Sequence, residues 1–252
     1  MASLQPIVDY LDRYLKTASI VDYPQAHNGL QLENSGQVRK IGAAVDACET
    51  VLRRAAEQGI TLLVVHHGLM WDSHAPLFTG ARYRKLKAAM DHDLAIYSSH
   101  LPLDLHPVVG NAAQLCKALG FTRCAPFLQW KGQAVGLQTI ARMKRTELVR
   151  RLTQVLGCAP HVCAGGPART NRIGVVTGGA ADEVAQACAE GVDTFITGEG
   201  PHWSYTAAEE LGMNLVYGGH YATETFGVKA LAAHLARRFR VPWEFIDHPT
   251  GL

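Results

Sequence analysis

Histidine and carboxylate side chains follow three short apolar segments of this chain. The six residues are His66, His67, His100, Asp104, His220 and Glu224. Imidazole nitrogens combined with carboxylate oxygens, without a thiolate, suit Mn, Fe, Zn, Co or Ni. Five of them, all except His100, are more ligands than one catalytic zinc ion uses, but they suit two ions about 3.5–4 Å apart bridged by a carboxylate. The pattern predicts a site for two divalent transition-metal ions.

The backbone must present these side chains in different ways. Neighbours in a strand point to opposite faces, so His66 and His67 serve one site only if the chain turns at Gly68, which permits it. The alternative is one buried and one exposed histidine. His220 and Glu224 open a predicted helix, where positions i and i+4 share a face and converge on one point. A capping role for Glu224 is the alternative there.

Apolar runs alternate with amphipathic stretches along the chain. The predicted helices are Leu4–Lys16, Glu49–Gln58, Arg82–Asp91 and Val109–Leu119, and the predicted strands between them are Lys40–Val45, Thr61–Val65 and Leu94–Ser98. This alternation implies βαβ units, an α/β fold and a largely parallel sheet, whose carboxyl edge is the usual place for ligands. Pro102 favours a loop between His100 and Asp104.

The later half of the chain repeats this pattern. Residues 172–203 align with 40–71 at a constant offset of 132, and Ile96–His100 resembles Val216–His220 at an offset of 120. We infer two related βαβ-type lobes, with a metal cleft between them and Glu199 at the position equivalent to His67. The extra residues of the first lobe should lie around His74–Asp91.

A segment that breaks the repeat separates the two lobes. Gly132–Met143 is rich in strand formers, Thr146–Leu156 has helical periodicity, and Cys158–Thr170 is rich in Gly and Pro and favours a loop. The predicted division is an N-terminal lobe at 1–121, a small α+β insert at 122–170, and a C-terminal lobe at 171–252.

Composition narrows the class of protein. The chain has 252 residues, of which 48% are hydrophobic and 18% charged, the balance of a globular protein with a substantial core. A net charge of +2 argues against strong binding to nucleic acid. Without a membrane-spanning run or a signal peptide, we expect a cytoplasmic protein with reduced, mostly buried cysteines. Cys158 and Cys163 flank His161 but cannot alone complete a structural zinc site.

Four strings, VVHHG, SSHLPLD, TGEG and GGHYATE, occur in this order. They resemble the dinuclear-metal hexamer family, in its short bacterial form, whose members are often labelled type 2 GTP cyclohydrolase I homologues. The resemblance extends to the early HNGLQ segment and implies a two-lobed α/β fold, a toroidal homohexamer and two metal ions per subunit. The metal ligands it implies are His66, His67, Asp104, His220 and Glu224. It also implies that His100 and Glu199 take part in catalysis or orient a ligand.

These observations favour a metal-dependent hydrolase of a nucleotide-like or other small substrate. Two ions generate hydroxide at neutral pH and polarise the bond to be broken. Glu199 either holds the attacking water or orients an imidazole; His202 is a weaker candidate. Recognition of GTP rests on the family label, because the chain has no P-loop or GxGxxG motif. The alternative is a metal-handling protein or an oligomeric adaptor without catalysis.

Overall fold

The computed structural model describes residues 1–71 and 77–252, so His74, where the extra residues of the first lobe were expected to begin, lies outside them. The strands are β1 (Ala2–Ser3), β2 (Gly29–Leu32), β3 (Gln37–Val38), β4 (Ile41–Asp46), β5 (Leu62–His67), β6 (Ala95–Ser98), β7 (Cys124–Trp130), β8 (Gln133–Ile140), β9 (His161–Ala164), β10 (Arg172–Val175), β11 (Thr194–Thr197), β12 (Asn214–Tyr217) and β13 (Trp243–Phe245). The helices are α1 (Leu4–Leu15), α2 (Glu49–Glu57), α3 (Gly80–Met90), α4 (Leu101–Asp104), α5 (Asn111–Ala118), α6 (Arg145–Leu156), α7 (Val184–Ala189), α8 (Trp203–Glu210) and α9 (His220–Phe239), with a 3₁₀ helix at Ala181–Glu183. This composition confirms the predicted α/β class.

Two compact units make up the described chain. Unit 1 comprises Met1–Leu103 and Val228–His248, and unit 2 comprises Asp104–Gly227 and Pro249–Leu252. These units are not the three segments 1–121, 122–170 and 171–252 expected from the sequence. The difference arises because strands of the middle segment pair with strands of the last segment in one sheet.

Unit 1 is built on a sheet with strand order β13-β4-β5-β6-β2. The pairs β13–β4, β4–β5 and β5–β6 are parallel, and β2 is antiparallel to β6. Ile41 and Val64, from the two central strands, are fully buried. Continuous apolar runs are expected for parallel strands covered on both faces.

Unit 2 is built on a sheet with strand order β7-β8-β10-β11-β12-β9. Strands β10, β11 and β12 are parallel, whereas β8 and β9 pair with them antiparallel. A tight turn joins β7 to β8, and its residues Lys131 and Gly132 both have positive φ, as a type I′ hairpin turn requires. The middle segment thus adds strands to both sides of the parallel core.

Strand register tests part of the expected repeat. Ile41 pairs with Leu62, and Ile173 pairs with Thr194, so the offset of 132 is reproduced in the sheets. The second match departs by one residue. Val65 pairs with Ser98, whereas Thr197, its counterpart, pairs with Tyr217 rather than with Gly218. Because a shift of one residue exchanges the two faces of a strand, only the first strand pair follows the alignment, and the kinship of the lobes remains a prediction.

Three expectations need correction. Leu101–Asp104 forms the helical turn α4 although it contains Pro102, because the first turn of a helix needs no intrahelical N–H donor. The expected loop Cys158–Thr170 contains β9, which pairs with β12 as an edge strand. The cysteines are not mostly buried: Cys116 and Cys163 are buried, Cys48 and Cys188 are intermediate, and Cys124 and Cys158 are exposed.

Among the residues that the structure describes, no helix has the length and apolar character needed to cross a membrane.

Candidate metal centre

His66 and His67 are the last two residues of β5 in unit 1. His66 is completely buried, and the His67 side chain is 20% exposed. Although neighbours in a strand diverge, the two ring centroids lie 4.8 Å apart with planes inclined by 45°. His100, which follows β6, lies with its ring 4.8 Å from that of His66.

Each of these three rings is oriented through its Nδ1 atom. His66 Nδ1 lies 2.9 Å from the carbonyl oxygen of Ser99. His67 Nδ1 lies 2.8 Å from Asp46 Oδ1, and His100 Nδ1 lies 2.8 Å from Asp22 Oδ1. A carbonyl or ionised carboxylate oxygen only accepts, so Nδ1 carries the hydrogen and Nε2 carries the lone pair that binds a metal.

The three histidines form a group that could hold a metal ion. One ligand atom from each of His66, His67 and His100 lies within 4.8 Å of the others. Trp71 packs edge-on against two of the rings, 5.1 Å from His67 and 4.8 Å from His100 between centroids. His100, expected from the resemblance to assist rather than to ligate, is therefore a candidate ligand by geometry.

The HNGLQ segment fixes the backbone around these histidines. Asn28 Oδ1 accepts the backbone N–H of His100 at 2.7 Å, and Gln31 Oε1 accepts that of Leu69 at 2.6 Å. A Cβ atom on Gly68 would meet the Gln31 amide, so a larger residue there would displace the side chain that holds Leu69. The segment therefore anchors the loops that follow both histidine strands.

Asp22 and Asp46 are site residues that sequence reasoning missed. Asp46 ends β4 and pairs with His67 in the sheet, so its position at the carboxyl edge was a usable signal. Asp22 lies in an irregular stretch without periodicity. Burial raises the pKa of Asp22, but hydrogen bonds and charge from His100, with a hydrogen bond from Asn28, outweigh it and lower the pKa.

Unit 2 presents one imidazole between two carboxylates. His220 is the first residue of α9, and its Nδ1 lies 2.9 Å from Glu199 Oε1. Its Nε2 lies 3.1 Å from Oε1 of Glu224, one helical turn later and only 2% exposed. Burial lowers the pKa of His220, but the hydrogen bonds and charges of Glu224 and Glu199 outweigh it and raise the pKa to about 9. At neutral pH Nε2 of His220 therefore carries a proton, at the atom where a metal cation would bind.

Three glycines allow close backbone packing around Glu199 and Glu224. Gly178 has φ +70°, and a Cβ atom there would lie 2.3 Å from Glu224 Oε1. A Cβ on Gly198 would lie 2.6 Å from the carbonyl oxygen of Gly178, and one on Gly200 would lie 2.2 Å from the Ala181 Cβ. The TGEG string thus positions Glu199 because glycine is required on both sides of it.

Asp104 ends α4, and its Oδ1 accepts a hydrogen bond from Asn111 Nδ2 at 2.7 Å. Asn111 is fully buried, and its Oδ1 accepts the backbone N–H of Gly227 in α9 at 2.6 Å. Asn111 therefore ties Asp104 to the helix that carries Glu224, a role with no signal in the sequence. His202 is exposed beside α8.

This is therefore an α/β protein with histidines at strand ends and at the start of a helix. Their rings are oriented as those of metal ligands are. The chain belongs to the Duf34/NIF3 (NGG1p interacting factor 3) family, whose model matches residues 2–250. This confirms the family predicted from the four strings.

Relatives match over nearly their whole length. A "GTP cyclohydrolase 1 type 2 homolog" of Deinococcus radiodurans is 39% identical over 248 residues, which cover 98% of this chain and 93% of that protein. The protein of the same name from Halobacterium salinarum is 40% identical over 255 residues, covering 98% and 99%. A crystal structure from Thermus thermophilus has a TM-score of 0.89 at 40% identity, and reduced HcgD from Methanocaldococcus jannaschii has 0.86 at 25%; they cover 100% and 98% of both chains respectively.

Proposed function

We propose that this protein is a metal-dependent hydrolase that acts on a nucleotide-like or other small substrate. It binds two divalent transition-metal ions through His66, His67, Asp104, His220 and Glu224. The observation that carries the proposal is the shared orientation of the imidazoles, each with Nδ1 on an oxygen acceptor, so that Nε2 is the nitrogen that binds a metal once any proton on it has left. Such outer partners fix ligands in metal sites.

The roles of the protein groups follow from their contacts. Bound metal ions supply hydroxide at neutral pH and polarise the bond that is broken. Glu199 orients the His220 ring through Nδ1, and its side chain is 45% exposed, so it is also open to a water or substrate proton. The names of the Deinococcus and Halobacterium relatives support a nucleotide-like substrate.

Elemental analysis of protein purified without added metal tests the first step. We expect about two ions per chain after reconstitution with Mn, Fe, Zn, Co or Ni. Turnover is then measured with a panel of phosphoester and cyclohydrolase substrates. Glu199→Gln should lower kcat at least tenfold, whereas Glu210→Gln, which changes an exposed carboxylate of α8, should not.

Two results would contradict the proposal in different ways. Less than one ion per chain with every metal would exclude the dinuclear centre. Full metal content without turnover of any substrate would favour the metal-handling or adaptor alternative.

We further propose a homohexamer in the cytoplasm. The hexamer is supported by the family resemblance, and the location by the six cysteines, all of which are free thiols. Light scattering at micromolar concentration should give six times the 27.3 kDa chain mass, and a monomer would contradict the assembly.

A further inference from the structure

A second feature of unit 2 is a cavity of about 570 Å³ beside Glu199. This volume is in the range of small-molecule sites. Its walls come from the segment before β9, the end of β11, the start of α8 and the end of β12. No residue of this cavity other than Glu199 takes part in the contacts of the candidate metal ligands described above.

Aromatic rings form one side of this cavity. His161 lies 5.5 Å from Tyr205 and 5.8 Å from Tyr217 between ring centroids, and it is inclined by 34° to each. The hydroxyl of Tyr217 is 2.8 Å from Ser204 Oγ, which fixes that ring. Inclined rings of this kind offer π-faces against which a flat ligand packs.

Glycine backbone and the Glu199 carboxylate form another side, and His202 and Thr206 add polar groups to the lining. Gly198, Gly200, Gly218 and Gly219 line the cavity, so peptide groups rather than side chains face it there. Glu199 lies between the first two of these glycines and is a hydrogen-bond acceptor with a 45% exposed side chain. An apolar, aromatic wall with a few convergent polar groups is the usual form of a pocket for a small ring system.

We infer that this cavity binds a planar nitrogen heterocycle, which packs against His161 and Tyr205 and donates a ring N–H to Glu199. The inference deepens the proposed function, on which it rests for the reaction, by giving the substrate class and the residues that select it. An aliphatic ligand without donors would leave the ring faces unused and the carboxylate without a hydrogen-bond donor, and the ribose arm of the test distinguishes a sugar from a flat ring. Binding of the ring itself requires no metal.

The test is isothermal titration of the full-length protein with guanosine, before and after dialysis against a chelator. Guanosine has a flat ring with an N–H edge, 1-methylguanosine lacks the N1 hydrogen, and ribose lacks the ring. We expect saturable binding of guanosine in both preparations, about tenfold weaker binding of 1-methylguanosine, and no binding of ribose. Because stacking on aromatic side chains contributes strongly to the binding of a base, Tyr205→Ala and His161→Ala should weaken binding by about tenfold or more.

Tyr83→Ala is the matched control, because this tyrosine is 53% exposed in unit 1. Tyr205 packs against the core of unit 2, so Tyr205→Leu keeps the test valid if the alanine variant does not fold. Equal affinity for guanosine and ribose, affinities of both ring variants within twofold of the wild type, or no saturable binding of guanosine would each overturn the inference. Guanosine binding by a protein that turns over no substrate of the panel would instead leave the pocket standing and reject the proposed activity.

Discussion

The two units use one device to orient imidazoles but surround them differently. In unit 1, three rings lie together, and their Nδ1 atoms are held by one carbonyl and two carboxylates. In unit 2, a single ring has a carboxylate at each nitrogen, Glu199 at Nδ1 and Glu224 at Nε2. The candidate ligands of unit 1 are therefore mainly nitrogen donors, whereas the surroundings of His220 in unit 2 carry negative charge.

The unit 1 residues therefore differ from the unit 2 residues in both geometry and charge. Rings packed on one another and on Trp71 have little freedom, so unit 1 offers nitrogen atoms at fixed separations. In the chain without metal, the negative charge of the buried Glu224 carboxylate offsets the positive charge of the protonated His220. We expect removal of unit 2 carboxylates to affect ion number, and removal of unit 1 outer partners to affect affinity.

The largest expected effect is loss of an ion. Glu224→Ala or Asp104→Ala should remove at least one ion per chain, because an oxygen ligand and its charge are lost together. Cys158→Ser and Cys163→Ser are the controls and should leave metal content unchanged. Mass spectrometric metal analysis distinguishes these outcomes. Metal loss in the cysteine variants would show that the wrong donor set had been assigned.

Proton competition should give the next largest effect. The pKa of His220 is raised from 6.5 to about 9 in the metal-free chain. Below about pH 9 a proton must therefore leave the ring before Nε2 binds a cation. Apparent metal affinity should therefore rise with pH, by up to about tenfold per unit, and level off above about pH 9. Titration against a chromophoric chelator measures it. Glu199→Gln should shift the plateau to lower pH, and an unchanged profile would argue against His220 as a ligand.

The outer partners of unit 1 should have a smaller effect. Asp46→Ala releases Nδ1 of His67, and Asp22→Ala releases that of His100. Loss of such a partner typically lowers metal affinity 10–100-fold. Asp91→Ala, which removes an exposed partner of Lys87 on α3, is the control and should leave affinity unchanged. Equal affinities for all three variants would mean that unit 1 does not orient the metal ligands.

Sequence reasoning succeeded where the signal is local. Apolar runs and the glycines that end them are properties of neighbouring residues. They predict the strand that ends at His66 and His67 and the helix that begins at His220. Asp22 was missed because it meets His100 across 78 residues of chain from an irregular segment. β9 was missed because a four-residue edge strand in a Gly/Pro-rich stretch gains its stability from pairing with β12, which no local pattern records.

The smallest expected effect concerns how closely the backbone approaches Glu224. Gly178 and Gly157 both have positive φ, +70° and +77°, but a Cβ atom on Gly178 would meet Glu224 Oε1 at 2.3 Å, whereas one on Gly157 would meet nothing within 4 Å. Gly157→Ala should therefore lower the free energy of unfolding by about 1 kcal/mol, the usual cost of a left-handed alanine. Gly178→Ala should cost about 1–2 kcal/mol more, because the buried carboxylate must move away from His220. Urea unfolding in the presence of a chelator measures both. Only Gly178→Ala should also weaken metal binding. If the two variants matched in stability and in metal affinity, the close packing of backbone on Glu224 would have no part in setting the charge of unit 2.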